Sequence, residues 1–501
     1  MKMPLRMNRL PRRTLAALAA AALLAATAFA QPAGGPPPGA PPGAAPGAPQ
    51  GAPPGAPPGM PGGGPPLPPG MPPMPPQEPV VYVAAAEIVD GRWLPADAAA
   101  QAQVQGAGAA ARRALKIVST RDRVNGLIVR GQGRTALQGA AIEINGRGKS
   151  DFDGIAAGVL VKDGATLELR GARIVTRGVV ASAVTATDQA TLRVLRSTLV
   201  AEGGPLPSGY TRRIGPGMME PPTPLGISGT ARTTLTMGSA KAYYADSTLI
   251  AEGWGALSTD AARGAQLEAE RCTIVVRRSG YGVYADNGAS AVIRHSTMDV
   301  PTFGGVIAGQ AALSFDALKL KSQGNAVMIH SVMGQPQEVG TLTISGGELR
   351  SRNAAIVVKS ANADITIDRA AISAGNGDLL LGVVNDDGFA TKTQGAAVPG
   401  IRAVIRGSRL QGNLVHLDGD RAMRVRLEGS SLRGRIQGVE LALDGASRWT
   451  ATADSSVTLA PGTTAAQIDA LPGVTISVKN GVGTLPAGEQ RLASGGRLVA
   501  P

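Results

Sequence analysis

Cysteine, histidine and aromatic residues are scarce in this chain, and each shortage closes off a class of chemistry. Cys272 is the only cysteine, so there is no internal disulfide framework and no thiolate metal site. The histidines are His295, His330 and His416, spread along the chain as surface or ladder residues are rather than gathered as ligands. Aromatics are 3% of residues, which leaves little to stack sugars in a groove or bases along a strand. After residue 30 no run approaches the ~18 consecutive apolar residues of a membrane-spanning helix. No Lys/Arg-dense run with interleaved aromatics occurs, so nucleic acid is not an expected partner. Gly131-Gln132-Gly133 lacks a following phosphate-binding lysine and reads as a strand-to-corner turn. The sequence therefore calls for no cofactor and no metal site.

What is present begins with export. Lys2, Arg6, Arg9, Arg12 and Arg13 form a positive segment, 15–24 is an Ala/Leu run, and Ala28-Phe29-Ala30 is a small-residue cleavage step. This pattern predicts a secretory signal peptide over 1–30 and a protein destined for the periplasm, the cell surface or the medium, with no membrane segment after cleavage. The net charge of +13 includes five signal-peptide cations, so the mature chain carries 13 − 5 = +8. Such an excess favours anionic surfaces; the plainer reading is that solvent-facing arginines keep a long sheet soluble. Residues 31–79 are almost wholly Pro, Gly, Ala and Met and predict a disordered, semi-extended spacer. Residues 80–114 read as an N-terminal cap, with a first strand at 80–83, a turn at Trp93-Leu94-Pro95 and an Ala-rich helix over 98–115 covering the open end.

The strongest signal is an internal repeat. Apolar or small residues recur at positions n, n+2, n+5 and n+7, with n at Leu167, Leu192, Ala242, Leu267, Ala291, Leu313, Leu342, Ile365, Ala403 and Val425. Positions n and n+2 share one strand face, as do n+5 and n+7, and the change of parity demands a corner at n+3 and n+4. Successive starts differ by 25, 50, 25, 24, 22, 29, 23, 38 and 22 residues. A period of that size is one turn of a solenoid whose coils bury their inner faces only by stacking. The fold class predicted is all-β: a single-stranded right-handed parallel β-helix over 115–450, of about a dozen coils at ~4.8 Å each, with a C-terminal cap or tail over 451–501. The 50-residue interval holds a loop over 204–226 with six prolines, too rich in proline for a buried strand. The 38-residue interval holds a smaller loop at 385–400. Cys272 falls in the inward n+5 slot and reads as a small core residue.

Three acidic pairs are candidates for chemistry: Asp386 with Asp387, Asp418 with Asp420, and Asp151 with Asp153. Each lies beside glycine, as turn carboxylates do, and the surroundings of pectinolytic hydrolases are absent. A polysaccharide lyase or hydrolase with Asp386 or Asp387 in an acidic role is the enzymatic alternative. Tyr210, Arg212, Arg213, Met218 and Met219 lie in the proline-rich loop, and Trp254 and Tyr281 follow it in corner or loop positions. Side chains of these types dominate interface hot spots, so the loop with exposed aromatics beside it is the candidate binding surface. The competing reading is that these residues pack the loop onto the rod.

The segments Gly407-Ser408-Arg409-Leu410-Gln411-Gly412-Asn413-Leu414-Val415 and Leu441-Ala442-Leu443-Asp444-Gly445-Ala446-Ser447-Arg448-Trp449-Thr450 resemble the late coils of pertactin-like autotransporter passengers, which are pectin-lyase-like β-helices. The Ala-Ser-Arg-Trp step is the most specific part, and the likeness spans about 115–460. It implies a surface adhesin or passenger without an active site. The sequence departs from that family in two ways. The 52 residues after Trp449 (501 − 449) hold no aromatic, so no translocator barrel is expected there, and Arg-Gly-Asp does not occur. The expected role is adhesive or structural, the partner a host or envelope surface protein or a glycan, with a separate outer-membrane partner as one export route. A weaker alternative is a polyanion-binding envelope protein, which requires one basic stripe.

Overall fold

Thirteen rungs of one hydrogen-bonded ladder carry the repeat. Residues described by the computed structural model are 80–108, 115–262, 264–331, 335–385, 397–479 and 485–501; the segments expected to be a signal peptide and a spacer, 1–79, lie outside them. Every repeat start stands in register with the next, through Leu167, Leu192, Ala242, Leu267, Ala291, Leu313, Leu342, Ile365, Ala403 and Val425. Thr135 precedes them, and Leu441 and Leu459 follow. All these pairings are parallel, so the described chain is a parallel β-helix. The n+7 residues form a second inward ladder, from Ile174 through Leu199, Leu249, Ile274, Met298 and Leu320 to Leu349 and Ile372. One continuous apolar core fills the interior.

The corner has a single conformational cause. In all ten repeats the n+4 residue has positive φ: Gly171, Arg196, Asp246, Arg271, His295, Ala317, Gly346, Arg369, Gly407 and Gly429, between 46° and 62°. One left-handed residue reverses the side-chain parity and turns the n+5 amide from the preceding coil toward the following one, the direction the n+4 amide already faces. The n+4 amide finds a carbonyl there, as Gly171 N does at Leu195 O (2.9 Å) and Arg196 N at Ala245 O (2.9 Å). For the n+5 amide the next coil's n+5 hydroxyl serves as acceptor in several steps. Ala172 N donates to Ser197 Oγ (2.9 Å), Ser197 N to Ser247 Oγ (3.1 Å), Cys272 N to Ser296 Oγ (3.0 Å) and Ser408 N to Ser430 Oγ (3.1 Å). Where n+5 is serine the inward hydroxyl also reaches back to the carbonyl two residues before, as Ser197 Oγ does to Leu195 O (2.9 Å) and Ser296 Oγ to Arg294 O (2.7 Å), while Ala172, Leu318, Gly347 and Ala370 fill the slot without that bond. Cys272 takes this slot, hydrogen-bonded by the amide of Ser247; burial pushes its thiol up to about 11.

The two ends differ from expectation. No helix forms over the described part of 98–115. Ala98–Ala100 is a single 3-10 turn capped by Asp97, and it stops at Gln101, which is left-handed at φ 46°. Gln103–Gln105 then pairs antiparallel with Lys116–Ser119, so an edge strand, not a helix, closes that side. The first strand is Val83–Val89, which already pairs in parallel with Val124–Arg130. At the other end the ladder continues past 450: Ser455–Leu459 pairs with Thr475–Val478, which pairs with Arg497–Ala500. Gly488–Arg491 lies antiparallel on that last strand.

Candidate binding platform

On one side of the rod the outward-facing residues are also apolar. Tyr284, Val306, Met328, Val357 and Leu381 stand in register on successive strands, and Tyr281 pairs with Phe303 beside them. Their alternate neighbours Val283, Ile307, Ile329 and Val358 belong to the interior core. With Trp254, Val179 and Val180 they form a second cluster outside the rod, into which the proline-rich loop inserts Met218 and Leu225. Gly255 is required here, because a Cβ would lie 2.0 Å from the Tyr281 ring.

The loop over 204–226 is fastened at several points. Thr230 Oγ1 accepts from Gly204 N (2.9 Å) and donates to Gly204 O (2.7 Å), closing its base. Gly217 N donates to Ser150 Oγ (2.9 Å), and Asp151 N donates to Met218 O (2.9 Å). Within the loop, Tyr210 Oη accepts from Met219 N (3.0 Å), and Arg212 donates to Thr223 Oγ1 (3.0 Å) while pairing with Glu220. That pairing holds the Glu220 carboxyl below the usual carboxylate range.

Beneath the loop lies a buried ion triad. Arg232, 2% exposed, pairs through Nη2 with Asp151 and with Asp260 (2.5 Å), and its guanidinium carbon lies 4.7 Å from the Trp254 ring centroid. Tyr281 and Ser258 share a hydrogen bond of 3.0 Å alongside. Burial alone would lower the Arg232 pKa, yet Asp151, Tyr281 and Asp260 hold it well above its ordinary value. Burial raises Asp151 against the attraction of Arg232. Such a triad costs desolvation and contributes little net stability, but removing its cation strands two carboxylates. It fixes the position of 150–151, to which the loop is bonded.

The sequence candidates therefore separate. Arg212 and Arg213 are exposed, and Tyr210 and Met219 are half-buried. Met218, Trp254 and Tyr281 are buried, at 2%, 1% and 1% exposure. The expectation of exposed aromatics is corrected: Trp254 and Tyr281 anchor the loop to the rod and offer no contact surface. Asp386 and Asp387 lie outside the described residues. Asp418 is buried against Arg421 (2.9 Å) and accepts from Asp420 N (3.0 Å), while Asp153 accepts from Ile155 N (2.9 Å). These two are turn carboxylates, as their glycine neighbours imply. Asp151 is not: the sequence reading missed its long-range partner Arg232, because a pairing across 81 residues leaves no trace in local spacing.

A polar hollow of about 670 Å³ lies near the C-terminal end, lined by His416, Gln437, Ser456, Thr458, Ser477 and Lys479 among others. The His416 ring is held by Nε2–H donating to Arg421 O (2.6 Å). A Cβ at Gly382 would lie 2.4 Å from Nδ1, so the ring needs that glycine. Among the described residues no three His, Cys, Asp or Glu side chains gather as a metal site, and no helix is long and apolar enough to cross a membrane. No family model matches the chain, and no curated protein is similar to it in sequence.

Proposed function

We propose that the chain is an exported β-helix protein of the cell surface or periplasm with an adhesive or structural role, of the kind found in pertactin-like autotransporter passengers. The observation that carries this reading is the fixed loop over 204–226. A dedicated apolar cluster, a closed base and a buried ion triad hold it on the rod, while Leu206, Thr211, Arg212 and Arg213 face solvent. A loop ordered in advance loses less entropy when a partner binds, which is how a display surface gains affinity. The partner would be a surface protein or a glycan contacted by that exposed edge.

The test is binding of the purified mature chain to whole cells or extracted envelope, compared with Arg212→Ala plus Arg213→Ala. Binding that falls at least ten-fold in the double variant, with unfolding unchanged, supports the reading. Equal binding by both proteins removes the loop from the function.

A further inference from the structure

We infer that a second surface, independent of the loop, binds a linear anionic polysaccharide. It is the outward face of the n+6 and n+8 positions on successive coils. From Lys319 to Arg448 that face carries Lys319, Lys321, Arg350, Arg409, Arg433 and Arg448, all exposed, the last brought to it by one extra residue in the coil from Leu441 that sets Arg448 in register with Ser431. The strands bearing them lie side by side in two runs, Lys319–Ser322 with Glu348–Ser351 and Ala371–Ala374, then Arg409–Gln411 with Ser431–Arg433 and Arg448–Ala451. Within this span the carboxylate on the two columns is Glu348, in register with Lys319 and bonded to Arg350 Nε (2.6 Å), and the span is bounded by Asp299, in register with Lys321, and by Asp469, in register with Thr450. Six cations and one carboxylate leave 6 − 1 = +5 on a stripe ~24 Å long, five strand steps of ~4.8 Å.

The face between n−1 and n+3 is arranged differently. Between n−1 and n+3, arginines alternate with carboxylates across coils, as in Arg402 with Asp364 (2.6 Å), Arg406 with Glu428 (2.8 Å) and Arg294 with Glu268 (2.8 Å). On the stripe, Lys319, Lys321, Arg409 and Arg433 have no ion pair among the described residues, and Arg448 donates to the backbone carbonyls of Gly445 and Ser447. Like charges on neighbouring strands repel, and a partner bearing repeated anions relieves that repulsion. Ser373, Gln411 and Ser431 stand exposed between the cations and suit sugar hydroxyls. The stripe has no aromatic for base stacking, which favours a polysaccharide over single-stranded nucleic acid. At its two ends the surface is hollowed, by about 210 Å³ where Lys319, Lys321 and Arg350 meet Asp299 and Glu348, and by about 500 Å³ where Arg448 and Arg491 flank Asp469.

The experiment titrates the mature chain with dextran sulfate, uncharged dextran, polygalacturonate and a DNA duplex at low and moderate salt. Saturable binding to the anionic polysaccharides, none to dextran, and affinity falling steeply with salt are expected. Arg409→Gln, Arg433→Gln and Arg448→Gln together should weaken binding at least ten-fold. The charge-matched triple Arg402→Gln, Arg406→Gln and Arg424→Gln should change it less than three-fold. Lysine at 409, 433 and 448 should retain binding, which separates charge loss from misfolding. Equal weakening by the two glutamine triples, or tighter binding to the duplex than to either polysaccharide, overturns the proposal. The Arg212/Arg213 variant leaves this binding intact, so failure of the loop reading and failure of the stripe are distinguishable.

Discussion

Replacing Ser247 by alanine removes one atom and disturbs two coils. Ser247 Oγ accepts from the buried amide of Ser197 (3.1 Å) and donates to Ala245 O (2.7 Å), and the residue is 3% exposed. The left-handed corner at Arg196 has turned the Ser197 amide away from the preceding coil, so no backbone carbonyl replaces the lost acceptor. A buried donor left without a partner costs about 1–3 kcal/mol. Taking ~2 kcal/mol, roughly thirty-fold in an equilibrium constant, Ser247→Ala should lower the urea midpoint and speed hydrogen exchange at the Ser197 amide by about that factor. Ser314→Ala is the control, since Ser314 is half-buried on an outward position of the same ladder; its effect should stay within ~0.5 kcal/mol. Exchange at Ser197 unchanged in Ser247→Ala, or equal destabilisation by the two variants, would refute the account of the corner.

Two further predictions concern the buried carboxylates. Arg232→Met strands Asp151 and Asp260 without their shared cation and should destabilise by about 3–5 kcal/mol; trypsin cleavage after Arg212 and Arg213 should quicken as the loop loosens, and an unchanged cleavage rate would count against the anchor. Burial raises Asp153 to about 6, above its unfolded value of about 3.9. The folded state therefore binds the extra proton, so this group's contribution is full below about pH 4 and is lost as pH rises through 6. Asp153→Asn keeps the oxygen that accepts from Ile155 N and should flatten the stability profile between pH 4 and 7; an unaltered slope would show that Asp153 is not its source.

How far the structure was legible depended on the range of the interaction. Leu167, Leu169, Ala172 and Ile174 sit seven residues apart at most, so the strand–corner–strand unit and its stacking followed from periodicity alone. The same frame contained the basic stripe: Lys319 and Lys321 are n+6 and n+8 from Leu313, Arg409 is n+6 from Ala403, and Arg433 is n+8 from Val425. Outward slots carry no apolar periodicity, so nothing in the repeat itself marks them as a site. Trp254 and Tyr281 were misplaced because an outward position is exposed only if nothing lies on it, and what lies there is a loop from another coil. The Arg232 triad joins residues from three separate segments, and composition holds no record of it. The Ala-rich stretch after Asp97 has helix propensity, but pairing of Gln103–Gln105 with the first coil outweighed it.

The central claim, that the exterior of this rod binds rather than reacts, is tested most directly by one assay. The mature chain is incubated with a panel of neutral and anionic polysaccharides, with and without Ca²⁺, and both retention and chain length are followed. The account predicts saturable retention with polymer length unchanged. Release of unsaturated or reducing ends, abolished by Asp386→Asn plus Asp387→Asn, would contradict it and assign the chemistry to those two carboxylates.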